Sequence, residues 1–148
     1  MKNNSKDFSN LGFSLIEVLI CLFILSIMIG LSSTSFLSLS PKYKLKKAAW
    51  EIRSRLNYAR YKAVFEGDKV RVSFDSSRYK IEQYDDDQNL WTVKLESILE
   101  GVTVNANNSP LFHPGGTVSN LASIYVSNSW GQYKITIAIT GRIKVILI

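Results

Sequence analysis

Residues 11–31 read LGFSLIEVLICLFILSIMIGL, and this stretch decides the N-terminal part of the fold. From residue 13 to residue 31 it contains 19 residues with a single charge, that of Glu17. As an α-helix, a segment of this length extends about 28 Å, close to the ~30 Å hydrocarbon core of a bilayer. Residues 13–31 therefore predict a membrane-spanning helix.

A cleaved secretory signal is the alternative interpretation of the same segment. Lys2 and Lys6 would form its basic end, and residues 30–32 (GLS) its small-x-small cleavage site. However, the apolar run is longer than the roughly 7–15 residues of a signal core, and Glu17 lies inside it. These two features favour a helix that is retained in the mature protein.

The composition excludes several functional classes. A chain of 148 residues with 46% apolar and 20% charged residues has the size and composition of one globular domain, and it is not a disordered segment. One cysteine, Cys21, and one histidine, His113, leave no disulfide framework and no zinc or iron–sulfur site. No pairing of a nucleophile with a base is recognisable. We therefore expect a protein that is not an enzyme and that needs no cofactor or metal.

The positive charge is concentrated in one short stretch. The net charge of the whole chain is +6. Residues 41–62 contain eight basic residues and one acidic residue, Glu51, and therefore carry a net charge of +7. Residues 63–148 contribute −1, from eight bases and nine acids. A basic isoelectric point by itself would suggest nucleic-acid binding. The uneven distribution weakens that interpretation, because the rest of the chain is close to neutral.

The same basic stretch has the periodicity of an amphipathic helix. Its apolar residues recur at alternating spacings of three and four and are small or aliphatic: Leu45, Ala48, Ala49, Ile52, Leu56, Ala59 and Ala63. Ser40 and Pro41 are typical of an N-cap and first helical position, and a proline kink within one long helix is the alternative. Gly67 and Asp68 predict the helix end. The alanines would let this helix lie close against a sheet.

After Gly67 the period of the apolar residues changes to two, which predicts β-strands. Strands are expected at residues 70–74, 79–84, 90–95, 102–104, 124–127, 133–139 and 142–148. Two hairpins are predicted, one turning at Ser76-Ser77 and one at a two-residue turn, Thr140-Gly141. A loop containing Pro110 and Pro114 separates the short strands. The fold class is therefore α+β, with a long N-terminal helix followed by a mostly antiparallel β domain.

The N-terminal stretch LGFSLIEVLI, residues 11–20, resembles the processing site of type IV pilins and type II secretion pseudopilins. In that family a short basic leader precedes G-F-x-L-x-E. The resemblance implies that a prepilin peptidase cuts between Gly12 and Phe13 and methylates the new amine of Phe13. The mature chain would have 136 residues (148 − 12), with Glu17 near its start.

A carboxylate within a membrane segment costs about 2.5–3.5 kcal/mol, so Glu17 is expected to be paired, protonated, functional or close to the headgroups. In the processed chain the Phe13 amine and the Glu17 carboxylate lie about 6 Å apart along the helix axis. Each charge offsets the cost of the other if the amine of one subunit meets Glu17 of its neighbour. We therefore predict that Glu17 sets the axial register of assembly.

The rest of the chain is similar to minor pseudopilins of the GspH/FimT group. The resemblance lies in residues 59–63 (ARYKA), residues 70–74 (VRVSF) and the region from Gly131 to Gly141-Arg142. It implies a long helix packed on an antiparallel, sandwich-like head, and a type II secretion pseudopilus as the assembly. The implied partners are other pseudopilins or pilins, the prepilin peptidase and a membrane crossed once. The missing cysteine pair favours a minor subunit over a major pilin.

The resemblance also divides the chain and orients it. Residues 1–12 would be the cleaved leader, 13–31 the transmembrane helix, 32–66 its amphipathic continuation and 67–148 the periplasmic β domain. The protein would lie in the inner membrane with its N-terminus cytoplasmic. Positive charges are denser on the C-terminal side of the segment and by themselves favour the opposite orientation. We follow the motif, since the family's leader is removed in the cytoplasm.

Three features have alternative functional interpretations. Arg142 and Lys144 resemble the G-R-x-R element by which some FimT-type minor pilins hold DNA during uptake, although lysine lacks the bidentate fork of arginine. An ordinary hairpin with outward charges is the simpler interpretation. Residues 85–87 (DDD) could ligate calcium, but a solvated turn is favoured. His113 has no second histidine or cysteine nearby with which to form a zinc site.

Overall fold

The computed structural model describes residues 13–148, and within residues 31–40 only the backbone. In this part of the chain one α-helix is followed by nine β-strands. The elements are α1 (Leu15–Glu66), β1 (Val70–Asp75), β2 (Arg78–Asp85), β3 (Leu90–Ile98), β4 (Thr103–Ala106), β5 (Leu111–Phe112), β6 (Val118–Ser119), β7 (Ser123–Asn128), β8 (Gly131–Ile137) and β9 (Ile143–Leu147). The chain divides into two compact units between Leu37 and Ser38.

The N-terminal unit contains the first part of α1. The helix begins at Leu15, and the N–H groups of Glu17 and Val18 donate to the Ser14 carbonyl at 3.0 and 3.2 Å. All side chains of residues 13–30 are exposed, with Phe13 82% and Leu15 80% accessible. Among the described residues, no helix combines the length and the apolar character that crossing a membrane requires.

Pro41 lies inside α1, so the predicted N-cap at Ser40-Pro41 is wrong, and the helix continues through the proline as the alternative of one long helix requires. Proline has no N–H donor and its ring crowds the carbonyl four residues earlier, so α1 lacks one internal hydrogen bond where it passes Pro41. The Pro41 carbonyl also accepts a hydrogen bond from Asn128 Nδ2 at 2.7 Å. This contact fastens the helix to the end of β7.

The second half of α1 packs through the predicted apolar stripe. All seven stripe residues are buried, Leu45, Ala48, Ala49, Ile52, Leu56, Ala59 and Ala63, which confirms the helical periodicity. The helix ends as predicted, because Gly67 adopts φ +79° and its N–H donates to the Ala63 carbonyl at 3.1 Å. Glycine adopts this left-handed conformation without the steric cost of a side chain.

The strands form two antiparallel sheets. One sheet has the order β3-β2-β1-β5-β6 and the other the order β4-β7-β8-β9. The β1–β2 hairpin turns at Ser76-Ser77 as predicted, with Asp75 paired to Arg78. The strands β5 and β6 were not predicted and lie in the expected Pro/Gly loop, where β5 pairs with β1. Antiparallel pairing in both sheets confirms the α+β class with an antiparallel head.

One hydrophobic core joins the helix to both sheets. The largest completely buried side chains come from all three layers: Leu45, Ile52 and Leu56 on α1; Tyr79 and Ile81 on β2; Phe112 on β5; Ile124 on β7; and Ile135 on β8. All buried core residues lie between Leu45 and Ile137. The unit from Ser38 to Ile148 therefore carries a complete core of its own.

The last hairpin differs from its prediction. Strands β8 and β9 pair from Ile137↔Ile143 onward, so the connection is a five-residue loop, residues 138–142, and the predicted two-residue turn is wrong. Within it the Gly141 N–H donates to the Ala138 carbonyl at 2.8 Å. The Ile139 carbonyl leaves the ladder because it accepts the Val118 N–H of β6 at 2.9 Å. The longer loop thus forms a backbone contact with strand β6 of the other sheet.

Candidate functional site

The first candidate site is the N-terminal segment. Gly12, the residue expected before the cleavage, lies outside the described residues. Phe13 is fully accessible, and Glu17 lies on the first turn of α1 with its side chain exposed. Within the described residues the Glu17 carboxylate has no hydrogen bond or ion pair. It is therefore a lone charge on an apolar and uncovered helical segment.

The second half of α1 is fastened to the head by a polar network next to the core. The buried Tyr79 hydroxyl donates to Glu51 Oε1 at 2.9 Å, and Arg55 Nε donates to the same hydroxyl at 3.0 Å. Burial is the largest influence on this group and raises the pKa of Tyr79 above its usual value. One hydroxyl thereby joins two charged residues of the helix to strand β2.

A second polar group fixes the C-terminal end of the helix. Lys62 Nζ lies 2.5 and 2.7 Å from the two carboxylate oxygens of Glu66. Gln83 Nε2 donates to Glu66 and to Asp68, each at 2.6 Å. The bond from Lys62 is the main reason that the pKa of Glu66 is lowered, partly opposed by desolvation and supported by Gln83. The helix end is thereby tied to β2.

The basic stretch of α1 is mostly occupied by contacts within the protein. Five of its eight cationic side chains have partners in the described residues. Lys42 lies over Trp130, Arg53 lies over Trp50, Arg55 bonds Tyr79, Arg60 bonds the Gly116 carbonyl, and Lys62 bonds Glu66. Within the described residues Lys44, Lys46 and Lys47 remain without such a contact, so fewer cations are available to a nucleic-acid backbone than the sequence suggests. These contacts favour the interpretation of the basic stretch as a solvent-exposed helix face whose side chains also bond to the rest of the protein.

The third candidate site is the C-terminal hairpin. Arg142 and Lys144 are both exposed, and together with Thr136, Ile137 and Ala138 they line a shallow depression of about 290 Å³. Neither cation has a hydrogen bond or ion pair with another described residue. The structure therefore brings the two predicted residues together on one surface, as alternation along a strand requires.

Gly141, just before this pair, has a structural role that the sequence did not reveal. It adopts φ +78°, and a Cβ atom there would lie 2.8 Å from Cδ and Cζ of Arg60. The Arg60 guanidinium passes over Gly141 and donates from Nε to the Gly116 carbonyl at 3.3 Å. Since 81 residues separate Arg60 from Gly141 (141 − 60), no local signal could have predicted their contact.

Two other candidates are ordinary structural features. Asp85 Oδ1 accepts the N–H groups of Asp87 and Gln88 at 3.0 and 3.1 Å, which is the hydrogen bonding of a turn. No cluster of three or more metal-ligating side chains is present among the described residues. The ring of His113 bonds Ser119 Oγ at 2.8 Å and thereby links β5 to β6. The hydrogen bonds of Asp85 therefore favour the interpretation of residues 85–87 as a solvated turn.

Comparison with known proteins agrees with the N-terminal motif. Residues 8–33 match the family described as the prokaryotic N-terminal methylation motif. No curated protein sequence matches the chain significantly. The matched residues include Gly12, Phe13 and Glu17. The description of this family names N-terminal methylation, and the match agrees with the prepilin-like motif found in the sequence.

Solved structures show where the fold is shared. The chain is similar to the minor pseudopilin EpsH from the type 2 secretion system of Vibrio cholerae, with a TM-score of 0.60 and 17% identity over 70% of this chain and 97% of EpsH. It is also similar to the type IV minor pilin FimU of Pseudomonas aeruginosa. The two FimU structures give TM-scores of 0.55 and 0.59 at 17% and 16% identity, over 68% and 71% of this chain and 91% and 90% of FimU.

The motif and the fold together define a pilin-like protein. The chain carries the N-terminal methylation motif at residues 8–33 and has the fold of these minor pseudopilin and minor pilin structures. At such low identity the structural likeness shows the fold. The two similar proteins come from different assemblies, because one is a minor pseudopilin of a type 2 secretion system and the other is a type IV minor pilin.

Proposed function

We propose that this chain is a GspH-like minor pseudopilin, a structural subunit of the periplasmic pseudopilus that supports protein export by type II secretion. The single observation that carries the proposal is the union of a prepilin methylation motif with a head whose fold matches almost the whole of EpsH. The chain acts as a structural element in this proposal, and its partners are other pseudopilins.

Processing prepares the chain for assembly in this proposal. A prepilin peptidase cuts between Gly12 and Phe13 and methylates the Phe13 amine. Residues 13–31 anchor the protein in the inner membrane, with the N-terminus cytoplasmic and the head periplasmic. The exposed apolar side chains of residues 13–30 support an environment of lipid or neighbouring helices, because an all-round apolar helix needs cover.

Glu17 aligns neighbouring subunits in this proposal. Its carboxylate has no partner among the described residues, and an unpaired charge in an apolar environment is costly. The free amine of Phe13 on an adjacent subunit would neutralise it. A pair of this kind fixes the axial position of one helix against the next, which is how buried polar groups specify register elsewhere.

Mass spectrometry of the mature N-terminus tests the processing step. Co-expression with a prepilin peptidase should give a chain that begins at Phe13 and carries one additional methyl group. Gly12→Leu should abolish the cut, whereas Gly30→Leu, at the alternative signal cleavage site, should leave it intact. Because a side chain at Gly30 meets open space, this control leaves the structure undisturbed. A mature chain beginning near Ser32 would refute the proposal.

Co-fractionation with assembled filaments tests the role of Glu17. Glu17→Ala should be processed normally but enter filaments at least tenfold less efficiently, as expected for the loss of roughly 1.4 kcal/mol or more per subunit contact. Ser26→Ala is the matched control, because among the described residues the Ser26 hydroxyl bonds only the Leu22 carbonyl of its own helix. Equal incorporation of both variants would contradict the register mechanism.

A deletion in the native host separates the two assemblies. Loss of this gene should reduce protein export and leave surface piliation intact. Loss of piliation with normal export would assign the chain to a pilus and overturn the secretion proposal.

DNA binding is the second candidate function, as in a FimT-like minor pilin that takes up DNA. The observation that favours it is a pair of exposed cations beside one depression, Arg142 and Lys144, whose side chains have no partner among the described residues. A gel shift with the unit from Ser38 to Ile148 tests it. Binding that weakens with salt and is lost in Arg142→Ala would support it, and no shift at low salt would remove it.

A further inference from the structure

The four edges of the two sheets are protected to different degrees. At the β3 edge the pairing with β2 shifts register between Ile81 and Glu82, and Glu96 forms ion pairs with Lys80 and Arg78. Bulges and charges of this kind oppose pairing with another chain. The β4 edge is four residues long, and its Val104 N–H already donates to the Ser76 carbonyl.

The remaining two edges contrast with each other. Strand β6 has two residues, and its Val118 N–H is used by the Ile139 carbonyl. Strand β9 runs for five residues, IKVIL, and pairs with β8 without a register shift, proline or bulge. Among the described residues, β9 is therefore the edge that combines a length of five residues with no bulge, proline or register shift, and Lys144 is the one charge on it.

The hydrogen-bond pattern shows which β9 groups face outward. The Arg142 carbonyl accepts from Ala138, and the Ile148 N–H donates to the Gln132 carbonyl, each at 2.9 Å. Hydrogen-bonded pairs alternate along an antiparallel ladder, so the even-numbered residues bond β8. The N–H and C=O groups of Ile143, Val145 and Leu147 therefore point away from β8, and no described strand pairs with them.

The side chains along this edge separate by face. Ile143 and Val145 pack against the hydrophobic core but are only partly buried, and Leu147 on the same face is 51% exposed. Lys144 and Ile146 point to the opposite face, since side chains alternate along a strand. The core face at the edge is thus apolar and incompletely covered.

The opposite face near this edge is positively charged. Arg142 and Lys144 lie on it by alternation, and Lys134 of β8 is paired in register with Ile146. No acidic side chain belongs to β8 or β9. Two copies of β9 placed edge to edge would bring two such basic clusters together, which disfavours self-pairing. An acidic partner is favoured.

We propose that the free edge of β9 binds an extended strand of another protein chain, with acidic side chains on the face of Arg142 and Lys144 and aliphatic side chains on the core face. The added strand bonds the outward groups of Ile143, Val145 and Leu147. Main-chain bonds supply affinity, and the alternating acidic and aliphatic side chains supply specificity. The inference is independent of which filament the chain serves.

Three synthetic peptides probe this edge in the unit from Ser38 to Ile148. The alternating peptide EVEVEVE should shift the amide resonances of residues 143–147 in NMR spectra. The alternating basic peptide KVKVKVK and the non-alternating EEEVVVE should bind at least tenfold more weakly. Equal binding of all three peptides, or no binding of EVEVEVE, would overturn the proposal.

Variants at the edge separate backbone pairing from charge attraction. Val145→Pro removes an outward N–H that β8 does not use, so the strand should persist while EVEVEVE binding falls at least tenfold. Val145→Thr keeps the N–H and is the matched control. The double variant Arg142→Glu/Lys144→Glu alters only exposed residues. It should bind the basic peptide KVKVKVK more tightly than the acidic peptide EVEVEVE.

The same variants distinguish other occupants. Binding of DNA that Val145→Pro leaves unchanged, together with no binding of EVEVEVE, would show a phosphate site and refute strand addition. Dimerisation of the unit that Val145→Pro abolishes, without peptide binding, would show self-pairing and refute the acidic partner.

Discussion

The contact between Gly141 and Arg60 makes Gly141→Ala the most informative single change in the head. The new methyl group would lie 2.8 Å from two carbon atoms of the Arg60 side chain, well inside van der Waals contact. Gly141 also has φ +78°, a conformation that alanine adopts only with strain. The substitution therefore acts through the backbone and through a displaced arginine.

The two effects can be estimated separately. The left-handed backbone conformation costs alanine about 1–2 kcal/mol. Displacing Arg60 breaks its bond to the Gly116 carbonyl, which contributes about 1–2 kcal/mol as a charged hydrogen bond at a half-buried site. We expect Gly141→Ala to lower the free energy of unfolding by about 2–4 kcal/mol.

Urea unfolding of the unit from Ser38 to Ile148 measures this in a double-mutant cycle with Arg60→Ala. In the Arg60→Ala background only the backbone cost should remain, so the Gly141→Ala penalty should fall to about 1–2 kcal/mol. An equal penalty in both backgrounds would refute the steric argument. A penalty below about 0.5 kcal/mol in the wild-type background would refute both parts of the reasoning.

Two further predictions concern the packing and the electrostatics of the helix. Leu56→Ala should lower the free energy of unfolding by about 2–5 kcal/mol in urea titrations, because Leu56 is completely buried, whereas Tyr58→Ala on the exposed face should change it by less than about 0.5 kcal/mol. The pKa of Glu66 is lowered in the folded state, so its stabilising contribution is present above pH ~4.3 and is lost as the pH falls through the folded pKa. Glu66→Gln should therefore flatten the loss of stability in acid, measured as unfolding free energy against pH, and an acid limb as steep as that of the wild type would contradict this reasoning.

Local periodicity was sufficient for the regular elements of the head. The alternating spacing from Leu45 to Ala63 predicted which helix face is buried, because burial of one face requires a repeat near 3.6 residues. The period of two predicted β1, β2 and the hairpin between them. Their partners lie within a few residues in the sequence, so the pattern itself specifies the pairing.

Elements defined by distant partners were missed or misjudged. The two-residue strands β5 and β6 are too short to show any period, and β5 exists because it pairs with β1 about forty residues earlier. The turn after β8 was predicted too short, since the sequence gives no sign that Ile139 bonds Val118. A local cap signal at Pro41 was likewise overridden by a helix that continues through it.

Some candidate sites are defined by residues that are adjacent in the sequence, and others by contacts between distant segments. The prepilin motif is a string of adjacent residues, and Glu17 stands out because one charge interrupts an apolar run. Arg142 and Lys144 were likewise expected to point outward from the last hairpin, and both are exposed, with Arg142 in the loop just before β9. By contrast, the free backbone edge of β9 follows from the order of strands in its sheet, which depends on pairing between remote segments.

Spacing and residue type along the chain were sufficient to identify the prepilin-like motif and the helix with its buried stripe. These properties depend on neighbours along the chain, where spacing and residue type act directly. Three further features emerged only from the tertiary structure: Arg60 passes over Gly141, most basic residues of α1 have partners within the protein, and no described strand pairs with the outer edge of β9. Those properties depend on which distant segments meet, and hydrophobic burial brings such segments together without leaving a local pattern.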